Sequence, residues 1–477
     1  MFEGALVDRR LDRRGEQIVE AMTQRQSAVV HQFCETTKEQ LGAYRFFSNA
    51  DVTEADLVGA LGQQCAQQVI GRHVLAIHDT SSINFQAHAG RLSRQDPCLG
   101  PLETASQVGF FLHPILVVAA DSAFPVGYAS VHLWNRSWQQ PPKTDRTYKQ
   151  QPFEEKESFR WVDTVRESAP TLATAERVTV IADRESDIFE VLTDLPDART
   201  DLVIRVAQNR CVDEEPGKLF EALAARPCQH SYALTIAGTP TRQARTATME
   251  VRWSAVTLHR PATTSKTRPA TVCLWALETR ETSLSVPPGE EPICWRLLTT
   301  HALDHVEMVL TVIRWYQLRW LIEELFRVLK RQGLNIEASQ LEDGAGLRKN
   351  CLMALGAALP ILQLTLDRAG AHGAPATVVF TEPELVYQAL LGPTLEGQTV
   401  KQHNPFVPRT LAWSAWIMAR LGGWKGYRSQ SPPGYITMKR GLERFTAMFA
   451  GWQLAQDTIG KNGPASLDCQ EKDVYKG

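Results

Sequence analysis

Between Trp315 and Arg331 the chain reads WYQLRWLIEELFRVLKR, a pattern that fits a helix and little else. At about 100 degrees per residue, Tyr316, Arg319, Glu323, Arg327 and Lys330 fall within an arc of about 80 degrees. Trp315, Leu318, Ile322, Leu325, Phe326 and Leu329 fill the adjoining arc, the apolar stripe of a helix packed on a core. One continuous helix is predicted, carrying a single carboxylate among cations and a phenol. Arg319 and Glu323, at i and i+4, fit an ordinary surface ion pair worth a few tenths of a kcal/mol. They equally fit a metal-binding carboxylate beside phosphate-gripping cations. Glu324 points about 100 degrees away and belongs to neither arrangement.

Two upstream runs with strand character each end in an aspartate. Val74, Leu75, Ala76 and Ile77 lead to Asp79, followed by Thr80, Ser81 and Ser82; Val178, Val180 and Ile181 lead to Asp183. Asp183 as a helix cap and Asp79 as a turn former are the plain alternatives. Three carboxylates on elements that can pack together, with no metal-type His or Cys cluster, suit a hard cation such as magnesium. Two such ions can activate a water and stabilise a leaving oxygen in phosphodiester cleavage.

IHDTSSINF, IADRESDIFEVL and YQLRWLIEELFRVLK resemble the three acidic motifs of bacterial insertion-sequence transposases with a DDE triad. The likeness is to the cut-and-paste subgroup in which Tyr, Arg, Glu and Lys accompany the third acid, here Tyr316, Arg319, Glu323 and Lys330. AYRFF at 43–47, EEKES at 154–158 and ARLGGW at 419–424 resemble further family segments, so the likeness covers nearly the whole chain.

The resemblance implies that Asp79, Asp183 and Glu323 are catalytic and hold two Mg2+ ions, with Mn2+ as a substitute. Tyr316, Arg319 and Lys330 would grip distorted phosphates, with Arg205 and Arg210 among the DNA contacts. Trp295 occupies the position resembling an aromatic platform for a flipped base; alone, Trp295 and Trp320 read as core residues. The implied activity is nicking of the element's inverted ends, strand exchange through a hairpin, and joining of the 3′ ends to target DNA. Double-stranded DNA and a second copy of the chain are the implied partners. The rival readings are a catalytically silent, transposase-derived DNA-binding inhibitor and a structure-selective nuclease of the same fold.

The expected fold class is α/β. Residues 1–70 read as a helical, DNA-end-binding domain, with Arg9, Arg10, Arg13 and Arg14 near its start beside Asp8 and Asp12. A helix start lies within Asp51 to Asp56. Residues 71–331 read as an RNase H-like catalytic core. Its strands are expected at His73 to Phe85, Gly109 to Ala120, Pro125 to Trp134, Arg177 to Ala182 and Asp201 to Ala207. Residues of about 211–300 read as short alternating strands, since 140 positions between Asp183 and Glu323 are too many for a loop, and the resemblance implies a β-rich insertion there. Residues 332–477 read as helical, with helices at 347–367, 408–421 and 434–455 and a disordered tail after Gln456, and the resemblance implies that this region contributes to dimerisation. The aromatic clusters Trp413/Trp416 and Phe445/Phe449/Trp452 suit core better than partner surface.

Composition sets bounds. With 477 residues and 43% hydrophobic, the chain can bury a large core. A net charge of −2 excludes a uniformly cationic surface but not local phosphate-binding patches. One such patch, Arg242, Arg245, Arg252, Arg260, Lys266 and Arg268 against Glu250, fits either a DNA backbone contact or a solvated face. Nine cysteines without zinc-like spacing, and a charged rather than apolar start, suit a cytoplasmic protein with no membrane anchor. The apolar run from Cys351 to Leu366 is short and interrupted, and reads as a core helix.

Overall fold

The computed structural model describes residues 2, 4–104, 106–139, 151–238, 243–331, 333–427, 430 and 432–461. These divide into two compact units, one formed by residues 1–22 and 27–359 and the other by residues 23–26 and 360–477.

The first unit begins with four helices: α1 (Arg9–Arg25), α2 (Val30–Phe33), α3 (Thr37–Ser48) and α4 (Glu54–Gln68). Helix α4 starts where the sequence signals, with Thr53 and Asp56 forming a reciprocal capping box. In α1, Asp12 turns inward and accepts from the backbone N–H groups of Gly4 and Leu6, both at 2.9 Å. It is therefore no partner of the arginines, and Arg9, Arg10 and Arg13 stay exposed.

An 11-stranded sheet follows. Its strands are β1 (His73–His78), β2 (Ser81–Asn84), β3 (Gly100–Pro101), β4 (Val108–Ala119), β5 (Pro125–Trp134), β6 (Arg177–Ala182), β7 (Thr200–Arg205), β8 (His230–Ile236), β9 (Arg245–His259), β10 (Thr271–Glu281) and β11 (Cys294–Thr299). The order is β2-β4-β1-β6-β7-β11-β10-β9-β8, with β3 and β5 also paired to β4. Only β1, β6 and β7 run parallel to their neighbours among themselves; the other pairings are antiparallel. Parallel strands need both faces covered. Accordingly Val74, Ala76, Val180, Ala182, Leu202 and Ile204 lie in one core with α5 (Arg160–Glu167), α6 (Phe189–Asp194) and α7 (Leu219–Ala224), and α8 (Val306–Gln317) contacts β6. Gly109 lets β2 approach β4, since a Cβ there would lie 1.9 Å from the Ile83 carbonyl oxygen.

The segment expected as a β-rich insertion carries β8 to β10, which extend the sheet: β10 pairs with β11, and β11 pairs with β7. Its expected basic excess is largely neutralised. Arg245 pairs with Glu281 and Glu290, Arg252 with Glu250, and Arg268 with Asp194, while Arg260 donates to the carbonyls of Lys266 and Arg268. Arg242 lies outside the described residues.

Helix α9 (Trp320–Leu329) follows α8 directly, so the single helix expected over 315–331 is two. At the junction Leu318 donates to both Arg314 and Trp315 carbonyls, and Arg319 to Tyr316, Leu321 to Leu318 and Ile322 to Arg319. Apart from the Leu318 to Arg314 bond, these i to i−3 bonds form a 3-10 turn, tighter than the α-helix on either side.

Helix α10 (Gly344–Leu366) carries the run read as a core helix. The segment Gly344–Ala369 is long and apolar enough to cross a membrane, but 89% of its most apolar window is buried. The second unit adds α11 (Glu382–Leu395), α12 (Leu411–Leu421) and α13 (Tyr435–Lys461). Helix α11 was not expected, because Pro383 and Pro393 disguise it. Its Thr381–Glu384 capping box and the tolerance for proline in a first turn explain its start. Trp413, Trp416, Phe445 and Phe449 are buried, as periodicity favours, whereas Met448 is 41% exposed. A Cβ on Gly441 would lie 1.8 Å from the Met418 carbonyl oxygen, so glycine there lets α13 touch α12. The tail beyond Lys461 lies outside the described residues.

Arg210 is not a surface DNA contact. It is 6% exposed, and its guanidinium meets the wholly buried Asp187 carboxylate at 2.6 Å. Asp187 also accepts from the backbone N–H groups of Ala207 and Gln208, so the pair fixes the exit of β7. Arg210→Ala would strand a buried charge, at a cost of about 3 to 5 kcal/mol. Denaturant unfolding without DNA should show that loss; unchanged stability would return Arg210 to the surface.

Candidate active site

Strands β1 and β6 pair in parallel with Val74 opposite Val178 and Ile77 opposite Ile181. Two residues further along the same register, Asp79 stands opposite Asp183 where both strands leave the sheet. Neighbouring strands run about 4.8 Å apart, so the two carboxylates share one rim. Both plain alternatives also hold in part. Asp79 Oδ1 accepts from the Thr80 N–H at 2.7 Å, and Asp183 Oδ1 from the Arg184 N–H at 2.6 Å, each shaping its own turn.

Arg319 brings the third acid to this rim. Its Nη1 lies 3.0 Å from Asp79 Oδ2 and its Nη2 2.5 Å from Glu323 Oε1. One guanidinium thus spans Asp79 and Glu323. With an 11% exposed side chain, Arg319 is not half of a surface ion pair. Glu324 turns away as expected, accepting from Trp320 Nε1 at 2.9 Å and Arg327 Nη1 at 2.6 Å. Arg327 therefore belongs with Glu324 rather than Glu323.

Around this centre stand most of the other expected residues. Arg205 Nη1 lies 4.0 Å from Asp183 Oδ1. The Tyr316 hydroxyl is buried, with the Arg205 guanidinium beside it. Trp295, half-buried on β11, presents an edge-to-face contact to Tyr316 with ring centres 6.0 Å apart. Lys330 sits at the far end of α9, 3.7 Å from Glu337, in an open depression of about 370 Å³ shared with Glu323, Phe326, Arg327 and Arg331. Trp320, read alone as a core residue, is instead 51% exposed: it lies off the apolar stripe of α9, with the Arg327 guanidinium over its indole. Sequence reasoning missed Thr80, Arg160 and Glu337, whose partners lie far away along the chain; Arg160 follows the EEKES segment, which gave the only signal.

Burial raises Asp79 to about 6, and the charges of Asp183 and Glu185 add to this, while the Thr80 N–H and Arg319 oppose it. A desolvated carboxylate among others needs a cation, and Arg319 supplies one. Three carboxylates with no sulfur or imidazole among them also fit a hard divalent ion. Other residues, His132, Asp163 and Glu167 on β5 and α5, form a separate group with ligand atoms within 4.8 Å of one another.

Two family descriptions match this chain. One, for a transposase DNA-binding domain, covers residues 3–52, and the other, for a transposase DDE domain, covers residues 154–359. The chain carries the DNA-binding and DDE domains of a transposase. The first match spans α1 to α3. The DDE match contains Asp183 and Glu323 but begins after Asp79, which joins them through the β1–β6 register and Arg319. A DDE domain implies divalent-metal chemistry on an RNase H-like core, and the large mixed sheet agrees. Among solved structures, the cryo-EM synaptic complex of piggyBac transposase with hairpin DNA aligns at 11% identity and a TM-score of 0.33. That alignment covers 87% of this chain and 62% of the other, so this chain spans less than two thirds of that protein. At this score it adds nothing to the site.

Because the folded state holds the Asp79 proton more tightly than the unfolded chain does, ionised Asp79 costs stability above about pH 6. The cost fades as pH falls toward the ordinary carboxylate range. In chelator, Asp79→Asn should therefore be more stable than the parent at pH 7, by on the order of 2 to 3 kcal/mol. The gap should close near pH 4. Equal stability at pH 7 would contradict the desolvated site.

Proposed function

We propose that the chain is a cut-and-paste DNA transposase that acts on the inverted ends of its own element as a homodimer. The observation that carries this reading is the convergence of Asp79, Asp183 and Glu323, through parallel strand register and one bridging arginine, in a chain with transposase DNA-binding and DDE domains.

In this reading Asp79, Asp183 and Glu323 would hold divalent metal, Mg2+ or in its place Mn2+. When bound, such ions activate a nucleophilic oxygen and stabilise the leaving one. The protein's own residues do the rest. Arg319, which links Asp79 and Glu323 without DNA, exchanges a carboxylate for a phosphate oxygen when a strand arrives. The buried Tyr316 hydroxyl donates to the same strand, and Arg205 and Lys330 hold phosphates on either side. Trp295, fixed by its edge contact with Tyr316, offers a face to a base displaced as the end is bent into a hairpin. Exposed Arg9 and Arg13 on α1 serve end binding in the N-terminal domain.

The test uses DNA bearing the element's own termini. Asp79→Ala, Asp183→Ala and Glu323→Ala should each remove nicking by orders of magnitude and leave end binding within about twofold, because the binding residues are elsewhere. Near-normal nicking by any of the three removes that residue from the triad. Cleavage without joining in the parent protein would mark a nuclease, and binding without cleavage a silent inhibitor.

A further inference from the structure

Beside Asp79 begins a buried polar chain that the reaction above leaves unused. Arg160, at the start of α5, donates from Nε to Thr80 Oγ1 at 3.1 Å, from Nη2 to Glu185 Oε2 at 2.7 Å, and from Nη1 to the Glu157 carbonyl at 2.7 Å. Thr80 follows Asp79, and Glu185 lies two residues beyond Asp183. One guanidinium therefore ties together the two turns by which β1 and β6 deliver their aspartates.

The chain continues inward. Thr80 Oγ1 is 2.9 Å from His113 Nδ1, and His113 Nε2 is 3.1 Å from His78 Nδ1. His78 precedes Asp79, so these contacts grip the residue on each side of it. Both imidazoles are wholly buried, and burial together with the Arg160 charge keeps them neutral, with His78 lowered to about 3. They are hydrogen-bond links rather than charges. Trp161 packs edge-on to each ring at 4.8 Å, and the Arg160 guanidinium lies over Trp161 and Trp134 at 5.3 and 5.1 Å.

Such a network is a poor device for stability. His78 Nε2 is buried with no partner, a penalty that an apolar pair of similar size would avoid. Nor is Arg160 placed as a phosphate contact: its side chain is 12% exposed and its three nitrogens are already committed to protein acceptors. What the network does control is the position of Asp79 relative to Asp183.

We propose that Arg160, acting with Thr80 and His113, is a positioning residue that fixes the spacing of Asp79 and Asp183 for a divalent cation. This rests on the reading that those aspartates hold metal. Lysine keeps the charge at position 160 but, as a point donor, cannot span Thr80 and Glu185 with a fixed planar fork. Valine at position 80 keeps the shape and removes the hydroxyl.

Mn2+ binding to the full-length, DNA-free protein, followed by the electron paramagnetic resonance of the free ion, tests this directly. Arg160→Lys and Thr80→Val should each weaken Mn2+ affinity about tenfold or more, the usual effect of removing a contact that orients a ligand. The double variant should be little weaker than the worse single one, because both changes break one network. Thr80→Ser should restore affinity to within about twofold, since its hydroxyl can still take the hydrogen bond. Unchanged affinity in both single variants, or multiplying losses in the double one, would overturn the proposal. If Arg160→Lys fails to fold, Thr80→Val and Thr80→Ser at that half-buried position decide the matter. If the parent protein itself binds no Mn2+, the metal-site reading fails and this inference falls with it; if the parent binds and the variants bind equally, only the inference fails.

Discussion

Parallel pairing of β1 with β6 puts two carboxylates side by side at the ends of central strands that are buried on both faces, and the arrangement of the site follows from that electrostatic burden. Asp79 is largely desolvated and held near pH 6, so negative charge there is tolerated only if other elements bring cations or hydrogen-bond donors. Each element around the rim brings some. The turns contribute backbone N–H groups, β7 contributes Arg205, and the α8–α9 junction contributes Arg319.

The 3-10 turn at Leu318 and Arg319 is part of the same solution. A straight helix would carry Arg319 and Glu323 on one face and let them satisfy each other. The tight turn instead sets Arg319 where its fork reaches Asp79 as well, on a strand 240 residues earlier in the chain. The Tyr316 hydroxyl, buried beside Arg205, is a donor for an arriving ligand. In the proposed reaction that ligand is a phosphate oxygen, and Arg319 is the group that trades carboxylate for phosphate as DNA binds.

Much of this was legible in the sequence because the relevant patterns are short. Two apolar runs ending in Asp79 and Asp183 announced strands, and the core strands lie within a few residues of where alternation and β-branching place them, except that the strand expected over His73 to Phe85 is two, β1 and β2, on opposite sides of β4. The periodicity around Glu323 identified which acid faces Arg319. What stayed hidden depends on long-range contact. Arg210 looks like any arginine after a strand, and only the fold shows Asp187 buried against it. The basic stretch at 242–268 reads as a patch until Glu281, Glu290 and Asp194 arrive from elsewhere to neutralise most of it. Trp320 has the composition of a core residue and an exposed position, because it lies about 140 degrees round the helix from Trp315, outside the apolar stripe. Thr80 and Arg160 lie 80 residues apart, beyond any local signal.

The central claim is that the carboxylates gathered by the β1–β6 register form the divalent-metal site. Anomalous X-ray scattering from crystals of the protein grown with Mn2+ locates the ion without reference to activity. The account predicts an anomalous peak bounded by Asp79, Asp183 and Glu323, with the Arg319 guanidinium displaced from between Asp79 and Glu323. A peak at His132, Asp163 and Glu167 alone, with Arg319 still bridging the two acids, would contradict it.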